Sequence, residues 1–322
     1  MQRTRDWLEG RQIPIYFCAV ALGAGAALSV PGTTALESAI NPALALMLYV
    51  TFLQVPMAEL RQAFVQVRFL AALAIANFVV IPMLVAVLVQ FLPNDPMVRL
   101  GVLLVLLTPC IDYVVTFSHL GKADARLLLA ATPMLLIAQM LLLPGYLTIF
   151  LGDDAARLVQ AGPFLHAFLW LIAIPLALAC VTQLLAGRSA RASKVAGMLG
   201  LLPVPTTALV LLIVIAAVVP QLGPAISDAL RVTPIYIAFA IIAPLAGWLV
   251  ARVLGLSAPA GRSVAFSAGT RNSLVVLPLA LAVPGAIPVL PAVIVTQTLV
   301  ELLSELAYVR VLARLGGTRR PG

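Results

Sequence analysis

Charge is what this chain has least of. Of its 322 residues, 10% are Asp, Glu, Lys or Arg, and two are His. So few charges do not coat a soluble domain of this length, and 62% hydrophobic residues with a mean hydropathy of +1.10 point the same way. Cysteine is sparse too: Cys18, Cys110 and Cys180 each fall inside an apolar run, which disfavours a disulfide framework. No CxxC, HExxH, Walker-type or GxGxxG motif stands in a supporting context, so no cofactor is expected. No catalytic dyad of plausible spacing suggests an enzyme. A small-residue cleavage site is missing after "MQRTRDWLEGRQIP", so the first apolar run reads as a retained span rather than a removed signal.

What the chain has in abundance is apolar runs long enough to cross a hydrocarbon core of about 30 Å as helices. Spans are expected at residues 13–30, 40–58, 69–92, 98–118, 126–151, 163–185, 198–220, 233–254, 263–283 and 287–310. The fold class is therefore an all-α polytopic membrane protein embedded in a lipid bilayer. Lys and Arg sort almost entirely to one side of this topology, leaving Arg99, Arg157 and Arg231 in opposite-side loops and Arg271 within a span. The positive-inside rule then places both termini in the cytoplasm, with the protein multi-pass in the cell membrane. The net charge of +8 is a topology signal, and no nucleic-acid partner is expected.

Ten spans divide into five and five, and an odd number per half turns the second half upside down relative to the first. The expected plan is two inverted repeats, residues 1–160 and 161–322, with their seam in a long loop around 187–194. The fourth member of each half is interrupted: span 4 at "TPCID" and span 9 at "SAGTRNS". Irregular backbone at membrane depth survives only inside protein or along a cavity, so paired breaks point to a substrate or ion site.

Pro109 removes a helical hydrogen bond, and its polar neighbours favour a functional break, with Gly269 as its partner in span 9. Pro82, Pro133, Pro144, Pro175 and Pro244 read equally well as packing kinks. Cys110 adjoins the break, where a soft sulfur would meet a thiophilic solute; Cys18 and Cys180 read as small buried hydrophobes. Asp112 and Arg271 are the costliest residues, at about 2.5–3.5 kcal/mol each at a helix centre. They lie in equivalent breaks, and either hold the crossing together as an ion pair or form a proton or anion site. Thr108, Asn272 and Ser273 flank them. Gln54, Asn77, Gln139, Thr296 and Gln297 are polar groups that either converge on a cavity or bind neighbouring helices together. Glu301 lies deep enough to serve ion or proton coupling, Glu305 is expected nearer the cytoplasmic interface, and His119 reads as a solvated residue at a span end.

The stretch "TPCIDYVVTFSHLGKAD" resembles the fourth-span signature of arsenite-efflux permeases in the bile acid:sodium symporter superfamily, with Pro109, Cys110, Leu120, Lys122 and Asp124 in place. "ANFVVIPMLVAVLVQFLP" and "LALMLYVTFLQVPMAEL" resemble the third and second spans of that branch. The resemblance implies a panel domain (spans 1, 2, 6 and 7), a core domain (spans 3–5 and 8–10) and crossed, unwound spans 4 and 9. It also implies a metalloid contact at Cys110. Two positions depart from the pattern. Leu274 stands where the family carries a Glu used for cations, and Asp112 replaces a small apolar residue. The new acid and base read as a compensating pair, with Arg271 standing in for a bound cation.

The leading functional expectation is a secondary active transporter for arsenite or antimonite, exporting the metalloid by proton exchange with Asp112 as proton carrier. The alternative is a sodium- or proton-coupled carrier of a small organic anion, clamped by Arg271. A membrane sensor or scaffold ranks low, because none of these residues builds a soluble output domain.

Overall fold

The computed structural model describes residues 2–54, 66–111, 113–152, 162, 165–166, 169–221, 223–281 and 283–316. Among these the chain is helical, and seven helices are long and apolar enough to cross a membrane. The protein is a polytopic membrane protein. In chain order the helices are α1 (Gln2–Ser29), α2 (Glu37–Leu53), α3 (Val67–Phe91), α4 (Pro96–Leu106), α5 (Tyr113–Leu120) and α6 (Ala125–Leu151). There follow α7 (Ile174–Ala186), α8 (Ala190–Leu199), α9 (Pro203–Val218), α10 (Ile226–Val253), α11 (Ala258–Gly269), α12 (Ser273–Leu281) and α13 (Val289–Val311).

Several boundaries differ from the sequence expectation. The charged N-terminal stretch is helical, so α1 starts well before residue 13. The seam expected as a loop around 187–194 holds α8, which buries no residue. The expected ends of spans 2 and 6 fall partly on residues outside the description. Helix starts follow local chemistry. The Asp95 carboxylate accepts from the Met97 and Val98 amides at 2.8 and 3.2 Å, with Pro96 at the first helical position of α4. Asp124 caps α6 through the Leu127 amide at 3.2 Å.

Two of the prolines that read as kinks have dedicated partners. Pro82 in α3 cannot donate to the Phe78 carbonyl four residues back, and the Tyr146 hydroxyl from α6 donates to it at 2.6 Å. A π-helical turn, Ala76–Val80, accompanies this break in the ladder. Pro244 in α10 likewise frees the Ala240 carbonyl, which accepts from the Tyr308 hydroxyl of α13. The members of these arrangements stand at 82 and 244, and at 146 and 308: 162 positions apart in both cases. Pro109 and Arg271, which meet at the crossing described below, are 162 apart as well.

Helices α1, α2, α7 and α9 pack in sequence, α1 on α9, α9 on α2 and α2 on α7. Elsewhere α10 packs on α11 and α13, and α13 on α4 and α12. At the α10–α11 contact Gly247 permits close approach: a Cβ there would lie 2.9 Å from the Val264 carbonyl oxygen and 2.6 Å from the Ala268 methyl.

Candidate functional site

Both interruptions lie where the sequence places them, and they touch. α4 ends at Leu106 and α5 begins at Tyr113; α11 ends at Gly269 and α12 begins at Ser273. The freed backbone segments pair as an antiparallel bridge between Pro109 and Arg271. The Cys110 amide donates to the Thr270 carbonyl at 3.1 Å, and the Asn272 amide to the Thr108 carbonyl at 2.9 Å. Each break thus supplies hydrogen bonds the other has lost, which a buried backbone in lipid requires. Thr108 and Thr270 mirror one another, each hydroxyl turning back to the carbonyl four residues before it, Leu104 at 2.8 Å and Phe266 at 2.7 Å.

Arg271 is fully buried, and its guanidinium is held by oxygen atoms. It donates to Asn77 Oδ1 at 2.8 Å, to the Ala268 carbonyl at 2.7 Å, to the Ser267 carbonyl, and more weakly to the Leu106 carbonyl at 3.4 Å. The Phe239 ring lies 5.4 Å from its central carbon. These carbonyls explain the position. Ser267 and Ala268 lie in the last turn of α11 and Leu106 ends α4, so two helix C-termini, each with carbonyls lacking an intrahelical partner and a partial negative charge, converge on one point. A fixed cation there satisfies both. Asn77 is held in turn by Leu73 O at 3.1 Å and Ser267 Oγ at 3.0 Å.

On the other side of the crossing stands α13. Glu301 Oε2 accepts from the Arg271 amide at 2.6 Å and from Gln297 Nε2, while Oε1 accepts from the Tyr113 hydroxyl. Glu305, expected near the interface, is instead fully buried, with Oε1 2.5 Å from the Thr270 hydroxyl. The Tyr308 ring lies against Gly269, where a Cβ would stand 3.0 Å from Cε2. Ser273 accepts from Thr298 at 3.0 Å.

The polar residues expected to converge are divided. Asn77 and Gln297 join the crossing. Thr296 donates to its own helix, at Ala292 O. Gln139 is 1% exposed with neither amide atom hydrogen-bonded among the described residues. Gln54 lies in a separate cleft with Gln12, Tyr16, Thr51, Tyr113, Thr116 and Thr207. Cys110 is buried at the crossing, and His119 is exposed at the last turn of α5; Cys18, which reads from its apolar run as a buried hydrophobe, is instead exposed, and Cys180 is half-buried. Asp112 lies outside the described residues, and so does its proposed pairing with Arg271.

The cleft, about 30 Å³, has room for one or two water molecules between α1, α2 and α9 on one side and α5 on the other. Apart from Pro203 and Val204 its lining is hydroxyl- and amide-bearing side chains, without a charged side chain among the described residues. Sequence reasoning missed Gln12, Tyr16, Thr207 and Tyr113. Singly each is ordinary, and Tyr113 stands out only through contacts with both Glu301 and the cleft.

Interrupted helices that complete one another inside a helical membrane protein, beside a polar cleft, have the build of a solute carrier. The chain belongs to the sodium bile acid symporter family, a family of transporters, whose model matches residues 41–223, more than half of the 322. Arg271, Glu301 and Glu305 lie beyond the matched stretch. Curated proteins give no match to the chain.

Proposed function

We propose that the chain is a secondary active transporter that exports arsenite or antimonite from the cytoplasm in exchange for protons. The observation that carries this reading is the uncharged, hydrogen-bonding cleft beside the break that bears Cys110. Arsenous acid is a neutral trihydroxide near neutral pH, and hydroxyl and amide groups suit it. A carboxylate or sulfonate in such a cleft would be an unpaired charge. Cys110 supplies the soft ligand: its thiol displaces one hydroxide of the metalloid, the thiol proton leaving with that hydroxide as water. Because Cys110 is buried, this contact needs the α5 side of the cleft to move against the α1, α2 and α9 side.

The recurrence of the Pro–Tyr arrangement and of the crossing partners at a constant 162 positions supports a ten-span architecture of two inverted five-helix repeats. The packing of α1, α2, α7 and α9 supports a panel moving against a core of the remaining spans. The sorting of Lys and Arg supports cytoplasmic termini in the cell membrane. Coupling belongs to Glu301 and Gln297 at the crossing and to Asp112, which follows Ile111 in the sequence. Substrate contact belongs to Cys110, with Thr108, Asn272, Ser273 and Asn77 shaping the crossing.

A second reading, sodium-coupled carriage of a small organic anion, is favoured by the family itself. Against it, one arm of the guanidinium that would clamp the anion, Nη2, is already engaged by the Ser267 and Ala268 carbonyls and Asn77, and occupies oxygen ligands that a sodium ion would need. The deciding experiment is arsenite accumulation in everted membrane vesicles, with and without a pH gradient and with sodium replaced by choline. Accumulation that needs the pH gradient, ignores sodium and disappears in Cys110→Ser is expected. Sodium-dependent carboxylate or sulfonate flux without arsenite flux would establish the second reading.

A further inference from the structure

Away from the crossing and the cleft, a groove of about 770 Å³ runs between α1 and α9. The two helices are parallel: Gly23 of α1 lies against Leu212 and Ile215, and α1 also touches the turn at Val219–Gln221 beyond α9. The start of α1 and the start of α9 therefore share one end of the molecule. α8, which stops four residues before α9, stands at that end too.

The groove is charged at its mouth and apolar along its length. Arg3, Trp7 and Arg11 recur every fourth residue of α1, and Cys18 and Leu22 continue the same stripe; the acidic positions of this stretch, 6 and 9, fall off it. The Arg11 guanidinium lies 4.9 Å from the Trp7 ring. Beyond this pair every lining residue is apolar as far as Leu22, about 16 Å of helix rise from Arg11 and so about half the depth of a hydrocarbon core. A small polar solute has no use for such a channel. A cation and an indole at headgroup level, with an apolar trough one leaflet deep, match the outline of a phospholipid.

α8 supplies an independent observation. It packs on α7 and α2 yet buries no residue. Arg191, Lys194, Val195 and Met198 stand at i, i+3, i+4 and i+7, all exposed, and Arg188 precedes the helix. Cations and apolar side chains on one stripe suit the level where headgroups meet acyl chains, the long stems lying along apolar surface while the charges reach phosphates. No Asp or Glu occurs between positions 154 and 228, so this stretch brings no acid to neutralise them.

We propose that the end of the molecule built by α1, α8 and α9 binds one acidic phospholipid, with its phosphate at Arg11, an acyl chain in the α1–α9 groove, and α8 supplying positive charge around the headgroup. A zwitterionic headgroup carries its own ammonium into that field, so the acidic lipid is preferred. On the topology read from Lys and Arg, the lipid belongs to the cytoplasmic leaflet. The inference needs only that the chain spans a membrane, so it stands or falls apart from the substrate reading.

In the test, the purified protein in detergent is offered equal amounts of phosphatidylglycerol and phosphatidylcholine with identical acyl chains. Retained lipid is counted by native mass spectrometry, as a ratio within each preparation so that loss of protein cancels. The native protein should prefer phosphatidylglycerol, and Arg11→Gln should lower the preference about fivefold, the effect of one cation near a charged surface. Ala208→Trp, which fills the groove from α9, should lower retention of both lipids. Equal retention by the native protein would make the occupant ordinary surrounding lipid and overturn the proposal, as would a preference that survives Arg11→Gln. A dimer that Ala208→Trp abolishes, with no lipid retained, would give the groove to a second copy of the chain and overturn it too. A footprint locates the site: Cys18 lines the groove and is exposed. In a Cys110→Ser, Cys180→Ala background its alkylation by an apolar maleimide should slow more with phosphatidylglycerol than with phosphatidylcholine. Alkylation that phosphatidylglycerol leaves unslowed would put the lipid outside the groove and overturn the assignment.

Discussion

Arg271 concentrates the residue-scale chemistry of this protein. Its guanidinium caps two helix C-termini at once, a task for which a planar fork of donors is suited and a lysine ammonium is not. Arg271→Ala leaves the Ser267 and Ala268 carbonyls and Asn77 Oδ1 without that donor, at about 1–3 kcal/mol for each group left unsatisfied. A clear fall in the thermal unfolding midpoint of the detergent-solubilised protein is expected, with Arg271→Lys recovering only part of it. A midpoint unchanged in Arg271→Ala would show that the cage is satisfied without the guanidinium. Arg271 was legible in the sequence because an arginine inside an apolar run is conspicuous. Glu305 was legible as a residue but not in its depth, since one helical turn separates it from Glu301 and hydropathy does not resolve a turn. Tyr113 was hidden, because a tyrosine in a membrane span signals nothing until its hydroxyl is located.

At the scale of elements, the Pro–Tyr arrangements show how helices α3 and α10 tolerate a missing hydrogen bond. Tyr308→Phe strands the Ala240 carbonyl and should cost about 1–3 kcal/mol, as Tyr146→Phe should for Phe78. Pro244→Ala returns an amide hydrogen to that carbonyl, so Tyr308→Phe should cost less in the Pro244→Ala background. A double-mutant cycle on unfolding midpoints measures the coupling, and strict additivity would separate the two residues. At the α10–α11 contact, Gly247→Val should destabilise more than Gly247→Ala, because the Val264 backbone carbonyl has no rotamer through which to yield. Sequence alone reported these prolines as kinks. Their partners lie 64 positions on in both halves, from 82 to 146 and from 244 to 308, a regularity visible in the letters once the hydrogen bonds are known.

For the whole molecule, the cleft sets what must move. Thr116 on α5 and Thr207 on α9 line it from opposite sides. Cysteines at both positions, in a background where Cys18 and Cys180 are replaced by Ala, should cross-link with a short bifunctional thiol reagent and stop transport. Reduction of a cleavable linker should restore it. Transport that continues with the link in place would locate the moving surface elsewhere. The polytopic, helical character and the paired interruptions could be read from hydropathy and from Pro109 and Gly269, whereas the position of the cleft could not. It depends on which hydroxyls face one another across α1, α2, α5 and α9, and no periodicity in the sequence records that.

The antiparallel bridge between the two breaks has a consequence for how the protein is made. The Thr108 carbonyl and the Cys110 amide are finished by partners at 272 and 270, synthesised long after them. Until the ribosome has delivered that later stretch, the first half waits in the membrane with an open seam. A severed chain, its halves expressed together, would therefore find its own mate, while the first half alone would be an orphan for the cell's quality control to remove.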